Sequence, residues 1–296
     1  MSPIEIIVNA GSGSVECETV KKRLVEAFEQ NGAAARVHLA KGGAEIFKFT
    51  DEAIEGDAQI VVAAGGDGTI SAVASKIVET DKILGVLPLG TLNNFSKDLQ
   101  IPQDLEESVK IIAENLVKEV DAAEVNGRVF INNSSIGLYP QIVKNREEKQ
   151  ERLGHGKWRA AFWAALKILK RSPFLQVKLK TEYGERTIRT PFVFVGNGAY
   201  AMDFFNIGRR ERMDDGKLSV YFLHKSGRRG LLSLVLRTVF GRLKQANDFE
   251  EISVEEITIE TRRRKILVAF DGEVDTLDTP LCYRIRPKAL RVIAPE

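Results

Sequence analysis

The stretch Ile60-Val61-Val62-Ala63-Ala64-Gly65-Gly66-Asp67-Gly68-Thr69 constrains this chain more than any other feature. A continuous apolar run leaves through glycines and enters a segment whose apolar residues Ile70, Val73, Ala74, Ile77 and Val78 recur at helical spacing. A run with no polar alternation reads as a strand buried on both faces, which is what a parallel sheet provides. Ile83 to Leu87 is apolar again, and Ile4 to Val8 followed by Val20, Leu24, Ala27 and Phe28 opens the chain with the same strand and helix periods. The pattern predicts a parallel sheet with helices on its faces.

Parallel strands of one sheet end on one edge, where α/β folds bind ligands. Three such exits carry glycines or carboxamides: Asn9-Ala10-Gly11-Ser12-Gly13, Gly65 to Thr69, and Pro88-Leu89-Gly90-Thr91-Leu92-Asn93-Asn94. Glycine lets a phosphate oxygen reach backbone N–H groups with no Cβ in the way, and a helix starting near Thr69 adds a favourable dipole. The loops therefore read as a polyphosphate cradle. Asp67 repels a phosphate unless something positive intervenes, so it implies a Mg2+ ion or a hydroxyl to be oriented. Taken alone, the same loop is also a tight turn with an aspartate cap.

Beyond about residue 120 the pattern changes to alternating segments. Asn126-Gly127 reads as a type I′ hairpin turn. Leu218 to Phe222, Val254 to Ile259, Ile266 to Phe270 and Tyr283 to Arg286 read as strands of an antiparallel sandwich or barrel. Two helical stripes interrupt them, around Trp158 to Leu169 and Leu231 to Val239. Charge divides along the same line: residues 1–120 hold 11 Lys/Arg against 19 Asp/Glu, and the rest 32 against 22. A basic second half suits an anionic membrane surface or a solvated face, and it lacks the interleaved aromatics of a nucleic-acid binder. Two cysteines far apart and three scattered histidines lack zinc-ligand spacing. With no run near the ~20 apolar residues of a membrane span, a cytoplasmic protein is expected.

Taken together, Asn9 to Gly13, Gly65 to Thr69, Gly90-Thr91-Leu92-Asn93-Asn94-Phe95, Arg212-Met213-Asp214-Asp215-Gly216-Lys217-Leu218 and Asp271-Gly272-Glu273 resemble, in this order, the diacylglycerol kinase catalytic domain family, which includes sphingosine and ceramide kinases and bacterial soluble lipid kinases. Gly-Gly-Asp-Gly-Thr alone is shared with NAD kinases. The combination is more specific. The resemblance implies an α/β nucleotide-binding domain over residues 1–120, a mainly antiparallel β-sandwich lipid-binding domain over 121–287, and a return of about 288–296 to the first.

It further implies ATP and Mg as cofactors and a lipid hydroxyl as acceptor. Asn9, Ala10, Gly11, Ser12, Gly13, Gly65, Gly66, Asp67, Gly68, Thr69, Thr91 and Asn93 would surround ATP. Asp67 would organise the Mg2+-phosphate network, while Asp271 and Glu273 would face the acceptor, with Glu273 as base. A structural Mg2+ would be held by the Asp215 side chain and the carbonyls of Arg212 and Lys217. Such an enzyme would associate peripherally with a membrane, through Arg228, Arg229, Arg237, Arg242 and Lys244 and through Lys157, Lys167, Lys170 and Arg171 beside Trp158 and Trp163, and it leaves room for a homodimer. Asn94 stands where the family carries aspartate, removing one acidic group from the site. The alternatives are an NAD kinase with a soluble acceptor, or a silent nucleotide- or lipid-binding protein.

Overall fold

The computed structural model describes residues 3–12, 17–138, 140, 174–203, 206–210, 212–223 and 249–296. Strands β1 (Ile4–Asn9), β2 (Ala35–Ala40), β3 (Ile60–Gly65) and β4 (Ile83–Pro88) lie parallel in the order β2-β1-β3-β4. Helices α1 (Cys17–Gln30), α2 (Gly43–Glu55), α3 (Asp67–Ile77), α4 (Asn94–Asp98) and α5 (Leu105–Glu114) accompany them. Alternate residues of each strand serve opposite faces. Ile7, Val61 and Ala63 join Ile46, Ile70 and Val73 in one core, while Ile6, Val62 and Ala64 join Leu24, Phe28 and Val109 in the other. This double burial explains the unbroken apolar runs. The edge strand β2 was not anticipated, since among its six residues only Val37 and Ala40 are buried.

The remaining strands are β5 (Val117–Val125), β6 (Arg128–Phe130), β7 (Asn133–Gly137), β8 (Leu175–Thr181), β9 (Gly184–Thr190), β10 (Phe192–Asn197), β11 (Tyr200–Asp203), β12 (Asn206–Arg210), β13 (Leu218–Leu223), β14 (Phe249–Val254), β15 (Glu256–Thr261), β16 (Lys265–Phe270), β17 (Glu273–Asp278) and β18 (Leu281–Ile293). One sheet has the order β14-β13-β10-β7-β16-β17, all antiparallel. It packs on β18, β15, β8 and β5 around a core that includes Val125, Phe130, Val193, Val220, Val268 and Tyr283. The second part is thus a sandwich. Asn126 and Gly127, at φ 49° and 79°, make the expected type I′ turn between β5 and β6.

One expected strand is two. Val254 to Ile259 spans the end of β14 and most of β15, which belong to different sheets. Val254, Ile257 and Ile259 all reach the same core because the chain turns a corner at Glu255, so their apolar pattern hides the break. The helices expected around Trp158 and Leu231 lie outside the described residues. Among the described residues, no helix is long and apolar enough to cross a membrane.

Strand β18 joins the two parts. Tyr283 and Ile285 belong to the sandwich core, Leu290 and Val292 to the first core, and Val292 pairs with Leu84 of β4. Between them the pairing with β5 slips, at Pro287, which has no N–H to donate, and Lys288, at φ 53°. Asp121 of β5 secures the irregularity by accepting the Lys288 N–H at 2.8 Å.

Candidate active site

The tips of β1, β3 and β4 meet at one edge. The carboxamide of Asn9 donates to Thr69 Oγ1 at 3.1 Å and accepts the Gly11 N–H at 3.0 Å, binding the first loop to the start of α3. Asp67, half-buried in the first turn of α3, accepts the Phe95 N–H at 3.2 Å and so binds the second loop to α4. No other protein partner of the Asp67 carboxylate is seen among the described residues. Gly66 and Gly90 lie backbone against backbone, and a Cβ on Gly90 would also meet Asn93 Oδ1 at 2.7 Å. A Cβ on Gly11 would meet the Lys41 carbonyl at 2.6 Å. These two glycines are required by close approach of chain to chain.

Gly68 differs, for a Cβ there meets nothing within 4 Å. Ala10, Gly11 and Ser12 form a short 3-10 turn, Gly65 ends β3 and Thr91 is exposed. Gly13 lies outside the described residues. Asn93, in the left-handed region at φ 51°, spends its carboxamide inside the loop: it accepts from Gly90 N–H and donates to the Gly90 carbonyl and to Gln103 Oε1, each at 3.0 Å. It shapes the loop that carries Thr91.

Asp271 and Gly272, at φ 49° and 90°, form a type I′ turn between β16 and β17. The turn brings Asp271 beside α3, 200 residues earlier in the chain, where Ser71 Oγ donates to its carboxylate. Backbone N–H groups of Ile131 and Asn132 donate at 2.8 Å and that of Asn133 at 3.1 Å. Burial pushes the Asp271 carboxyl above the ordinary aspartate range, and the four donors oppose that shift. Glu273, at the start of β17, is exposed. The acidic pair therefore divides into a carboxylate enclosed by donors and one left in solvent.

The Asp-Asp-Gly loop gathers its candidate metal ligands around Gly198. The Gly198 N–H donates to the Lys217 carbonyl at 3.1 Å, and a Cβ on Gly198 would meet the Arg212 carbonyl at 2.8 Å and Asp215 Oδ1 at 3.8 Å. One carboxylate and two carbonyls on a cradle kept open by glycine fit a hard cation such as Mg2+. Asp121 supports the loop, accepting the Gly216 N–H at 2.6 Å and donating its own N–H to the Met213 carbonyl at 2.7 Å. Burial, and then the charge of Asp121, raises the Asp215 carboxyl, which is the tension a cation would relieve.

Several residues around this edge were not legible as functional. Arg210, on β12, is paired with Asp98 at the end of α4, with Nε 2.7 Å from Asp98 Oδ2 and side-chain exposures of 0% and 6%. Asn197 and Tyr200 also contact the Ile131–Asn132 segment. Local pattern does not separate Arg210 from Arg209 or Arg212; only its partner 112 positions away distinguishes it. The basic residues expected to meet a membrane at 157–171 and 228–244 lie outside the described residues.

Known proteins match both parts of the chain. Residues 3–125 match the diacylglycerol kinase catalytic domain, and residues 141–294 the YegS C-terminal NAD kinase beta sandwich-like domain. A Klebsiella pneumoniae protein described as "Probable lipid kinase YegS-like" is 33% identical over 150 residues, 50% of each chain. A diacylglycerol kinase of Bacillus subtilis is 33% identical over 149 residues, 48% of each chain. These alignments span about half the length of the relatives. The crystal structure of a diacylglycerol kinase from Bacillus anthracis shares the fold, with a TM-score of 0.72 over 99% of this chain and 97% of that one at 22% identity.

Proposed function

Since this chain belongs to the diacylglycerol kinase catalytic domain family and carries the YegS-type sandwich, we propose that it transfers the γ-phosphoryl group of ATP to the hydroxyl of a membrane lipid, a diacylglycerol or a sphingoid base. One observation carries the reading: the hydrogen bond from Ser71 to Asp271 joins the helix that opens from the phosphate cradle to the acidic hairpin of the sandwich. The start of α3 and the β16–β17 hairpin therefore lie side by side, which supports a shared site.

In this reading the amides of Gly66 to Gly68 hold the phosphate tail at the N-terminus of α3, ahead of the Thr69 N–H that donates to the Gly66 carbonyl, a position suited to anions by its free N–H groups and dipole. Asp67 keeps one oxygen on Phe95 and offers the other to the phosphate network. Asp67 would help hold a Mg2+ ion there, and that ion would supply charge neutralisation for the phosphate tail. Asp271, enclosed by donors, aligns the hairpin, and Glu273 takes the proton of the attacking alcohol. Positioning and electrostatics then provide most of the acceleration. The lipid is met at a membrane surface, to which the protein binds peripherally.

The test is labelled ATP with Mg2+ and vesicles containing diacylglycerol, sphingosine, ceramide or monoacylglycerol, with free NAD as the soluble control. Label is expected in a lipid, and Glu273→Gln is expected to lose at least about 100-fold in rate while melting like the parent. Label in NAD alone, or in nothing, overturns the lipid reading. A Glu273→Gln protein at the parent rate removes Glu273 as base.

A further inference from the structure

We infer that Arg210 is a positioning residue for this transfer: it grips the carbonyl side of the peptides whose N–H side holds Asp271. The inference rests on the kinase reading for its catalytic consequence and on geometry for the grip. Arg210 Nη1 donates to the Ile131 carbonyl at 2.6 Å, and the N–H of the same peptide unit, on Asn132, donates to Asp271 Oδ1 at 2.8 Å. A peptide unit is planar, so fixing its C=O fixes the direction of its N–H. The next unit is held likewise. Tyr200 Oη donates to the Asn132 carbonyl at 2.8 Å, while the Asn133 N–H donates to Asp271 Oδ1 at 3.1 Å. Arg210 Nη2 adds a bond to Asn132 Oδ1 at 3.2 Å.

A plain ion pair would use Asp98 alone. Here Arg210 gives Asp98 both its Nε and its own backbone N–H, and directs the remaining guanidinium bonds to the loop that encloses Asp271 and to the Asn197 carbonyl. Asp98 ends the helix α4, whose Phe95 N–H is bound by Asp67. The guanidinium thus spans from the element carrying the Asp67 contact to the peptides carrying Asp271. Phe95 and Tyr200 rings lie 5.6 and 5.8 Å from this fully buried guanidinium. A cationic donor on a carbonyl polarises the peptide and strengthens the bond its N–H makes to a carboxylate.

Removing Arg210 alone would leave Asp98 buried and unpaired, so the test uses Arg210→Gln combined with Asp98→Asn, and separately Arg210→Lys. The readouts are melting, kcat and KM for ATP in the lipid assay, and amide hydrogen exchange. The double variant is expected to fold, to keep KM for ATP within about twofold, to lose about 100-fold in kcat, and to exchange faster at Asn132 and Asn133 than the parent while the amides of β1, β3 and β4 keep their protection. Arg210→Lys, which keeps the charge but not the fork, is expected to recover part of kcat. Should the double variant not fold, the lysine variant carries the same comparison. Parent kcat, or unchanged exchange at Asn132 and Asn133, overturns the inference. If the parent protein phosphorylates no lipid, the kinase reading falls, and exchange alone then decides whether Arg210 grips the loop.

Discussion

Replacing Gly68 by alanine separates the two reasons a phosphate loop keeps glycine. The residue lies in the first turn of α3 with no positive φ, and an added Cβ meets nothing within 4 Å. In the free protein the methyl group is harmless. Alanine lowers the conformational entropy of the unfolded chain, so stability should rise by about 0.5–1 kcal/mol. In the proposed reading the methyl would stand where a phosphate oxygen approaches the amides. Loss of one hydrogen bond to a charged group is worth about 1.5–3 kcal/mol, which weakens ATP binding about 10- to 100-fold. Gly90→Ala should behave in the opposite way. Its Cβ collides with the Gly66 backbone and with Asn93 Oδ1 at 2.7 Å, so the two loops must part even without ligand, at about 1–3 kcal/mol. Calorimetric melting and titration with ATP and Mg2+ measure both effects. A Gly68→Ala protein that binds ATP like the parent would place the phosphate elsewhere, and a Gly90→Ala protein that melts like the parent would refute the collision.

Other outcomes follow from ionisation. The folded-state carboxyl of Asp215 is raised by burial and by Asp121, so stability held below the ordinary aspartate range declines as pH rises through the raised value. Asp215→Asn should therefore melt no lower than the parent in EDTA near neutral pH, and Mg2+ is expected to raise the melting temperature of the parent but not of this variant; a variant that responds to Mg2+ like the parent rejects Asp215 as ligand. Burial raises the Tyr221 hydroxyl to about 12, with its bond to Glu251 adding to the shift. Its stabilisation is present below about pH 10, the unfolded value, and is lost as pH climbs to about 12. Denaturant unfolding across that window should fall less steeply for Tyr221→Phe, and identical slopes would discard the assignment.

Local chemistry was sufficient where a residue's role is decided by its immediate neighbours in the chain. The double-faced burial of β3 and β4, the glycine exits, and the turns at Asn126-Gly127 and Asp271-Gly272 follow from side-chain period and from which residues tolerate a positive φ. The parallel direction of β1, β3 and β4 followed from the same grammar. The edge strand β2 escaped because its cover is thin on both faces, with Val37 in one core and Ala40 in the other, and the corner at Glu255 escaped because both flanking strands feed one core.

Tertiary structure alone decided which polar side chains act together. Asp271 is marked in sequence as one of two acceptor-side acids by resemblance alone, and becomes an enclosed carboxylate only when Ser71, 200 positions away, and three backbone amides of Ile131 to Asn133 converge on it. Arg210 is one arginine among several until Asp98 and the Ile131 carbonyl, 112 and 79 positions distant, take up its donors. Hydrogen bonds act over about 3 Å and are blind to separation along the chain, whereas the hydrophobic period and backbone propensity are local quantities. The sequence by itself therefore determined the strand-glycine-helix units and the sandwich, and the packing of one against the other decided which donors surround which acid.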